Sequence, residues 1–230
     1  MNIANAKEKR GRLFVIEGLD GSGKATQSKL LSERLSARGD DVRMLSFPCY
    51  DDDSSMLVRM YLSGEFGERP EDVNGYAAAV FYAADRFASY KKNWEKDYLA
   101  GAVFVADRYT TSNTVYQMSK LEPAEWNNYR AWLTDFEYQK LGIPKPDQVI
   151  YLDLPPDLSV QLMMTRYQGE KTRMDIHERD RAYQEKSRAA ALYCAKIDNW
   201  HVVECNRKDR LRSVDEISDE IIERIKKAGY

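Results

Sequence analysis

Cysteine is scarce in this 230-residue chain: there are three, Cys49, Cys194 and Cys205, and none stands in C-x-x-C spacing. An odd number so placed excludes a disulfide framework and a thiolate zinc site. It predicts a reducing compartment, with the thiols as small buried apolar groups and a reactive thiol at Cys49 as the alternative reading. Long apolar runs are missing too. No stretch approaches the roughly 18 residues of a membrane span, and the polar opening "MNIANAKEKRGR" lacks the apolar core of a secretory signal, so a cytoplasmic protein with no membrane partner is expected. Nor is there an excess of charge, since 35 Lys+Arg against 37 Asp+Glu leave −2. Bulk attraction to nucleic acid is thereby excluded, and anions have to be held by locally placed cations.

What is present suits one globular domain with a real core: 43% of residues are hydrophobic and 31% charged. That domain is expected over 1–230, with residues 1–11 flexible. Five short apolar runs, "RLFVIEG", "DVRMLSFP", "GAVFVADR", "PDQVIYLDLP" and "NWHVVEC", have strand length and end at glycine, proline or charge. Between them, helical patterning covers 24–37, 54–62, 72–96, 123–140, 157–165, 180–197 and 214–226. Alternation of this kind predicts an α/β fold: a five-stranded parallel sheet flanked by helices in three layers, with ligands at the carboxyl ends of the strands.

The chemistry-bearing motifs stand there. "GLDGSGK", residues 18–24, fits G-x-x-x-x-G-K, starts where the first strand stops and runs into a helix. Its glycines let backbone N–H groups converge on a phosphate, the helix directs its positive end there, and Lys24 can bridge terminal phosphates. Gly18, Gly21, Ser22, Gly23, Lys24, Ala25 and Thr26 are thus candidate ATP-binding residues. After the third strand, "ADRYTTSNTVY" places Asp107 where a carboxylate can hold magnesium directly or through water, and Arg108 where a guanidinium can take a second phosphoryl group. In "FYAADRF", Tyr82 and Arg86 are four apart and share a helix face, so ring and planar cation can hold a base; without the other motifs, such an aromatic reads as core. "TRYQGEKTRMDIHERD", residues 165–180, carries both charge signs and no apolar stripe. By itself it reads as a solvated surface. In a phosphotransferase, Arg166, Lys171 and Arg173 could close over the transferring group as a mobile lid spanning 165–179.

In this order, "FVIEGLDGSGKATQ", "SFP", "FYAADRF", "DRYTTSN", "PKPDQVIYLD" and "DIHERD" resemble the thymidylate kinases, P-loop nucleoside monophosphate kinases, over nearly the whole chain. The resemblance implies a P-loop kinase fold and magnesium-dependent transfer of the γ-phosphoryl group of ATP to dTMP, commonly in a homodimer. It gives Asp20 the sugar 3′-hydroxyl end and the neighbourhood of the metal, and Lys24 and Lys171 the ATP side. Phe47 and Pro48 border the acceptor nucleotide, Tyr82 stacks on thymine, and Arg86 reaches the base edge. Arg108 grips the acceptor phosphate. Asn113 and Tyr116 lie beside the deoxyribose, and Asp175 and Glu178 are acidic positions near the site. The family's adenine contacts fall around residues 206–210.

Two positions depart from the pattern. Cys49 follows the F-P pair where the family often has arginine, and Ala25 replaces the hydroxyl residue of G-K-[ST]. Gly21 also stands where one branch places a catalytic arginine, so Arg166, Lys171 and Arg173 are expected to supply that charge. With Ala25 in the loop, the metal is expected to depend on Asp107, Asp20, water and the phosphates. The alternatives are a kinase for another pyrimidine monophosphate (dUMP, UMP or CMP) and a nucleotide-binding protein without catalysis. A signalling GTPase is disfavoured because "NRKD" at 206–209 misplaces the lysine of N-K-x-D.

Overall fold

The structure, a computed structural model, describes residues 10–166, 175–207 and 210–230. In chain order it runs β1 (Arg12–Gly18), α1 (Lys24–Ser36), β2 (Val42–Ser46), α2 (Met56–Ser63), α3 (Gly75–Ser89), α4 (Glu95–Leu99), β3 (Val103–Asp107), α5 (Trp126–Thr134) and β4 (Gln148–Asp153). There follow α6 (Pro156–Arg166), α7 (Ile176–Arg179), α8 (Arg181–Ile197), β5 (His201–Glu204), β6 (Asn206–Arg207), β7 (Arg210–Leu211) and α9 (Val214–Lys227). A π-helical turn, Tyr90–Trp94, joins α3 to α4, and two more, Asn113–Gln117 and Asp135–Lys140, follow β3 and α5. The Phe47–Pro48 peptide is cis.

All five expected strands form one sheet in the order β2-β3-β1-β4-β5, and the pairings are parallel. Alternation along β1 explains the unbroken apolar run from Leu13 to Ile16. Phe14 and Ile16 pack on one face with Leu31 and Leu35 of α1 and Ile221 and Ile225 of α9. Leu13 and Val15 pack on the other with Phe104, Trp94, Tyr98 and Tyr109. Both faces are covered, so successive side chains are all apolar, and each fully buried one contributes roughly 1.5–3 kcal/mol. From β1 the chain reaches β3 on one side and β4 on the other, and the crevice at such a switch point opens at the carboxyl end of β1.

The helices match expectation except at their ends and interruptions. The pattern over 72–96 begins instead at Gly75, because the Asn74 side chain accepts a hydrogen bond from Ala77 N and caps the first turn, while Pro70–Asp72 forms a separate 3-10 turn. The pattern over 123–140 divides into a 3-10 turn at Pro123–Glu125, α5 and a π-helical turn. The short antiparallel β6–β7 ladder was not expected; two polar residues per strand give no periodicity to read.

Candidate active site

At the carboxyl end of β1 the loop turns through Gly21 and Gly23, both at positive φ (79° and 90°). Gly23 opens α1 in the left-handed region that favours glycine. Gly21 is fixed by packing as well as by φ: a Cβ there would stand 2.7 Å from the Ser159 carbonyl oxygen and 2.9 Å from Met163 Cγ. A side chain at residue 21 would therefore require the loop or α6 to shift. Ser159 Oγ also donates to the Asp20 carbonyl, tying α6 to the loop.

A cavity of about 720 Å³ lies over this loop. Its wall includes Asp20, Gly21, Gly23, Lys24, Ala25, Thr26, Phe47, Pro48, Tyr82, Arg86, Asp107, Arg108, Asn113, Tyr116, Asp175 and Glu178, so the structure brings together nearly every residue singled out from the motifs. Gly18 and Ser22 are not on the wall. Arg166 ends α6, and Lys171 and Arg173 lie outside the described residues.

Charge is concentrated at the loop end. Asp20 accepts from Arg108 Nη2 through Oδ1 and from Tyr116 Oη through Oδ2 at 3.0 Å, and Lys24 Nζ stands 3.9 Å away. Burial would raise the Asp20 carboxyl, but Arg108 first and Lys24 next outweigh it and hold it at about 2. Lys24 Nζ donates to the Leu19 carbonyl at 2.8 Å. Burial, then the charge of Arg108, lowers its pKa. Arg108 itself has φ 67°, a conformation costing a non-glycine residue of order 1–3 kcal/mol. Its N–H donates to the Ile16 carbonyl and its Nη1 lies 3.7 Å from Glu17, so surrounding structure fixes the guanidinium beside the loop.

Glu17, not singled out from the sequence, is fully buried. It accepts from Thr111 Oγ1 at 2.7 Å, Ser112 Oγ at 2.8 Å and Gly18 N at 3.0 Å, binding the segment after β3 to the loop. An acid inside the apolar run "FVIEG" was the available signal.

At the other end of the cavity, Arg86 is 1% exposed and bonded through Nε and Nη2 to Glu137 at 2.8 and 2.6 Å; Glu137 is 0% exposed. Asn113 Nδ2 donates to the same carboxylate at 2.9 Å. The structure therefore groups Asn113 with Arg86, whereas its expected neighbour Tyr116 bonds Asp20. Next to them Gln117 is buried, with Oε1 unpartnered among the described residues. Neither Glu137 nor Gln117 was foreseen, since Glu137 meets Arg86 only through a contact 51 residues apart.

For a divalent cation, Asp107 fits: its Oδ1 is buried without a partner at the end of β3. Asp20 fits less well, because both its oxygens are engaged. No cluster of three or more His, Cys, Asp or Glu side chains able to hold a metal occurs among the described residues. Cys49 N donates to Asp85 Oδ2 at 2.8 Å, and burial pushes its thiol pKa up, which argues against the reactive alternative.

The family profile described as thymidylate kinase matches residues 16–220. The chain belongs to that family. It is 32% identical over 181 residues to the thymidylate kinase of Mycobacterium tuberculosis, covering 77% of this chain and 82% of that one. To the Plasmodium falciparum thymidylate kinase it is 27% identical over 220 residues, covering 96% and 92%. Among solved structures, the thymidylate kinase of Candida albicans superposes with a TM-score of 0.68 at 23% identity, over 95% of this chain and 92% of that one, a likeness of fold. Membership makes the chain a phosphotransferase that passes the γ-phosphoryl group of ATP to dTMP, giving dTDP and ADP. No helix among the described residues is long and apolar enough to cross a membrane.

Proposed function

We propose that the cavity holds dTMP with its base at the Arg86 end, its sugar between Asp20 and Tyr116, and its phosphate at Arg108, with ATP phosphates over the 18–26 loop. The observation carrying this reading is the pair of cations, buried Lys24 and part-buried Arg108, at one end of a cavity whose other end offers Arg86 and Gln117. An acceptor phosphate is already anionic, so its oxygen can attack the γ-phosphorus as the β-γ bridge breaks without losing a proton. No general base is needed, and the work left to the protein is positioning and charge stabilisation. Lys24 exchanges the Leu19 carbonyl for a phosphate oxygen. Asp107 would hold a magnesium ion, directly or through water, and the ion would supply charge neutralisation at the phosphates.

Because the loop has Gly21 in place of an arginine, Arg166, Lys171 and Arg173 are the proposed source of the charge that arrives with a lid over 165–179; such an arginine is worth about 10³–10⁵ in rate. One kinase domain is proposed, working in the cytoplasm as a homodimer. Support for the dimer comes from α3, where Tyr76, Val80, Ala84 and Phe87 form one exposed apolar stripe, with Val80 42% exposed.

Base selectivity follows from donor chemistry. A guanidinium donates only, so Arg86 matches the O4 carbonyl of thymine or uracil and opposes the N4 amino group of cytosine. Gln117 Oε1 can accept from the imide N–H. The thymine methyl adds only about 1–3 kcal/mol. The test is a panel of nucleoside monophosphates with ATP and magnesium, read as kcat/KM. The ranking expected is dTMP, then dUMP, then UMP, with CMP and dCMP at least about 10²-fold below dTMP. Equal use of dCMP and dTMP would overturn the base placement.

A further inference from the structure

Behind the sugar end of the cavity lies a buried relay that the proposed phosphoryl transfer does not use. Lys120, at the end of the 3-10 turn Met118–Lys120, donates from Nζ to Tyr61 Oη at 2.8 Å and to the Val73 carbonyl at 2.9 Å. Tyr61 Oη in turn lies 2.7 Å from His177 Nε2. Burial lowers the Lys120 pKa to about 7; below that pH the ammonium has no lone pair, so the tyrosine oxygen accepts from it and the tyrosine proton must go elsewhere. Its other neighbour, the Pro70 carbonyl, is at 3.4 Å, so the proton points to Nε2. His177 Nε2 is then an acceptor, and the imidazole carries its hydrogen on Nδ1.

The ring is held on every side. Tyr116 stacks on it at 5.5 Å and 10°, Tyr183 packs at 4.9 Å and Tyr61 edge-on at 5.3 Å, while the backbone N of His177 donates to Asp175 Oδ1 and its carbonyl accepts from Gln184. Burial, reinforced by the charge of Lys120, lowers the imidazole pKa to about 3, so the ring is neutral at pH 7. His177 lines the large cavity, and the hydrogen bond of its ring runs through Nε2. Its ring neighbour Tyr116 is the residue whose hydroxyl bonds Asp20.

We propose that Lys120 and Tyr61 are positioning residues that lock His177 as the Nδ1–H tautomer, and that this N–H donates to the 3′-oxygen of the acceptor deoxyribose while Asp20 accepts from the same hydroxyl. The second half rests on the acceptor placement given above. A 3′-hydroxyl is then read twice, as acceptor by His177 and as donor by Asp20. An acceptor lacking it leaves the buried His177 N–H unpaired, while Asp20 keeps Arg108 and Tyr116; an unpaired buried donor is the arrangement that gives large discrimination. Asp20 supplies only half of that recognition, and His177 the half that senses a lone pair.

Two measurements test the proposal. The chain has only two histidines, His177 and His201, so nitrogen-15 NMR of the imidazoles of the whole protein at about pH 5.5, where Lys120 is charged and His177 neutral, assigns the tautomer directly, with no substrate present. Nδ1–H at His177 is expected in the parent, and a shift toward the Nε2–H form in Tyr61→Phe. Nε2–H in the parent would overturn the lock even if dTMP is turned over as proposed. The second measurement is the ratio of kcat/KM for dTMP to that for its 3′-deoxy analogue. His177→Phe is expected to cut this ratio at least about tenfold, through loss on dTMP, whereas His177→Asn, whose amide N–H can take the place of Nδ1–H, retains most of it. A ratio within twofold of the parent in His177→Phe, with the variant folded by circular dichroism, would overturn the sugar contact. If the parent did not phosphorylate dTMP at all, the acceptor placement would fail and the tautomer result would stand alone.

Discussion

Replacing Glu137 with glutamine, which keeps the shape and removes the charge, tests how the base end of the cavity is built. In the parent, Glu137 receives three donors, Arg86 Nε, Arg86 Nη2 and Asn113 Nδ2, all at 2.6–2.9 Å. Glutamine has one acceptor oxygen and an NH₂, so at least one of these donors would face another donor, and the 1%-exposed guanidinium would lose its counter-charge. Breaking a buried pair by removing one partner costs about 3–5 kcal/mol. With a urea m-value of about 2–3 kcal/mol per molar, a loss of about 4 kcal/mol moves the midpoint down by roughly 1.3–2 M. Arg86 and Asn113 would also lose their fixed aim, so KM for dTMP should rise at least about tenfold, 1.4 kcal/mol of binding, with a smaller change in kcat. Urea unfolding followed by circular dichroism and steady-state ADP release read the two effects. A midpoint within about 0.3 M of the parent, or an unchanged KM in a folded variant, would refute the argument that Glu137 holds the arginine proposed to read the base.

Asp107→Asn should reduce magnesium-dependent turnover by more than about tenfold, because a neutral amide is a poorer ligand for a hard cation, whereas Ala25→Ser should change it little; magnesium titrations of the rate compare them, and the reverse ranking would make the loop the metal's main support. Burial, then the charges of Asp20 and Glu178, raise Asp175 to about 7 from 3.8. Between about pH 4 and 7 the native state therefore binds more protons at this group than the unfolded chain, so its contribution to stability falls as pH rises through that window. Asp175→Asn, which keeps a capping oxygen for His177 N and Glu178 N, should flatten that part of a denaturation-versus-pH curve; an unchanged slope would remove Asp175 as its source. Gly21→Ala forces a Cβ to 2.7 Å from the Ser159 carbonyl at φ 79°, so a melting temperature at or above the parent's would show that the loop and α6 are not in close contact. Val80→Glu places a charge in the exposed stripe of α3 and should turn the proposed dimer into a monomer in light scattering, with circular dichroism unchanged; a dimer that survives it would use another face.

Much of the site could be read from local pattern. A strand ending in G-x-x-x-x-G-K, an Asp-Arg pair ending another strand and Tyr82–Arg86 on one helix face are each short-range statements, and parallel topology then carries β1 and β3 to adjacent places with Ile16 opposite Asp107. Groups that act across the chain could not be read that way. Glu137 meets Arg86 over 51 residues, and Lys120 meets Tyr61 over 59. Their signal is a charged residue in a segment that must be buried, visible only once the packing is known. Helix ends were misjudged for a related reason: in 72–96 the apolar spacing persists through the π-helical turn at Tyr90–Trp94, while the start is set by the side chain of Asn74.

The loop at Ala25 shows how the two kinds of information combine. Read alone, a missing hydroxyl weakens the metal site. In the fold, the carboxylate that the sequence offered as its second support, Asp20, is committed to Arg108 and Tyr116, and the oxygen left buried without a partner belongs to Asp107. Freeing Asp20 for a cation would strip Arg108 of its nearest counter-ion while that residue holds a strained φ. Moving the metal toward Asp107 and the nucleotide phosphates requires no such exchange. The same Arg108–Asp20 pair also fixes Asp20 at about 2, so it remains an acceptor throughout the physiological range. On the proposed reading its role is to orient Arg108 and the acceptor sugar, and an alanine at position 25 is tolerable because the ion would rest on Asp107 and the phosphates.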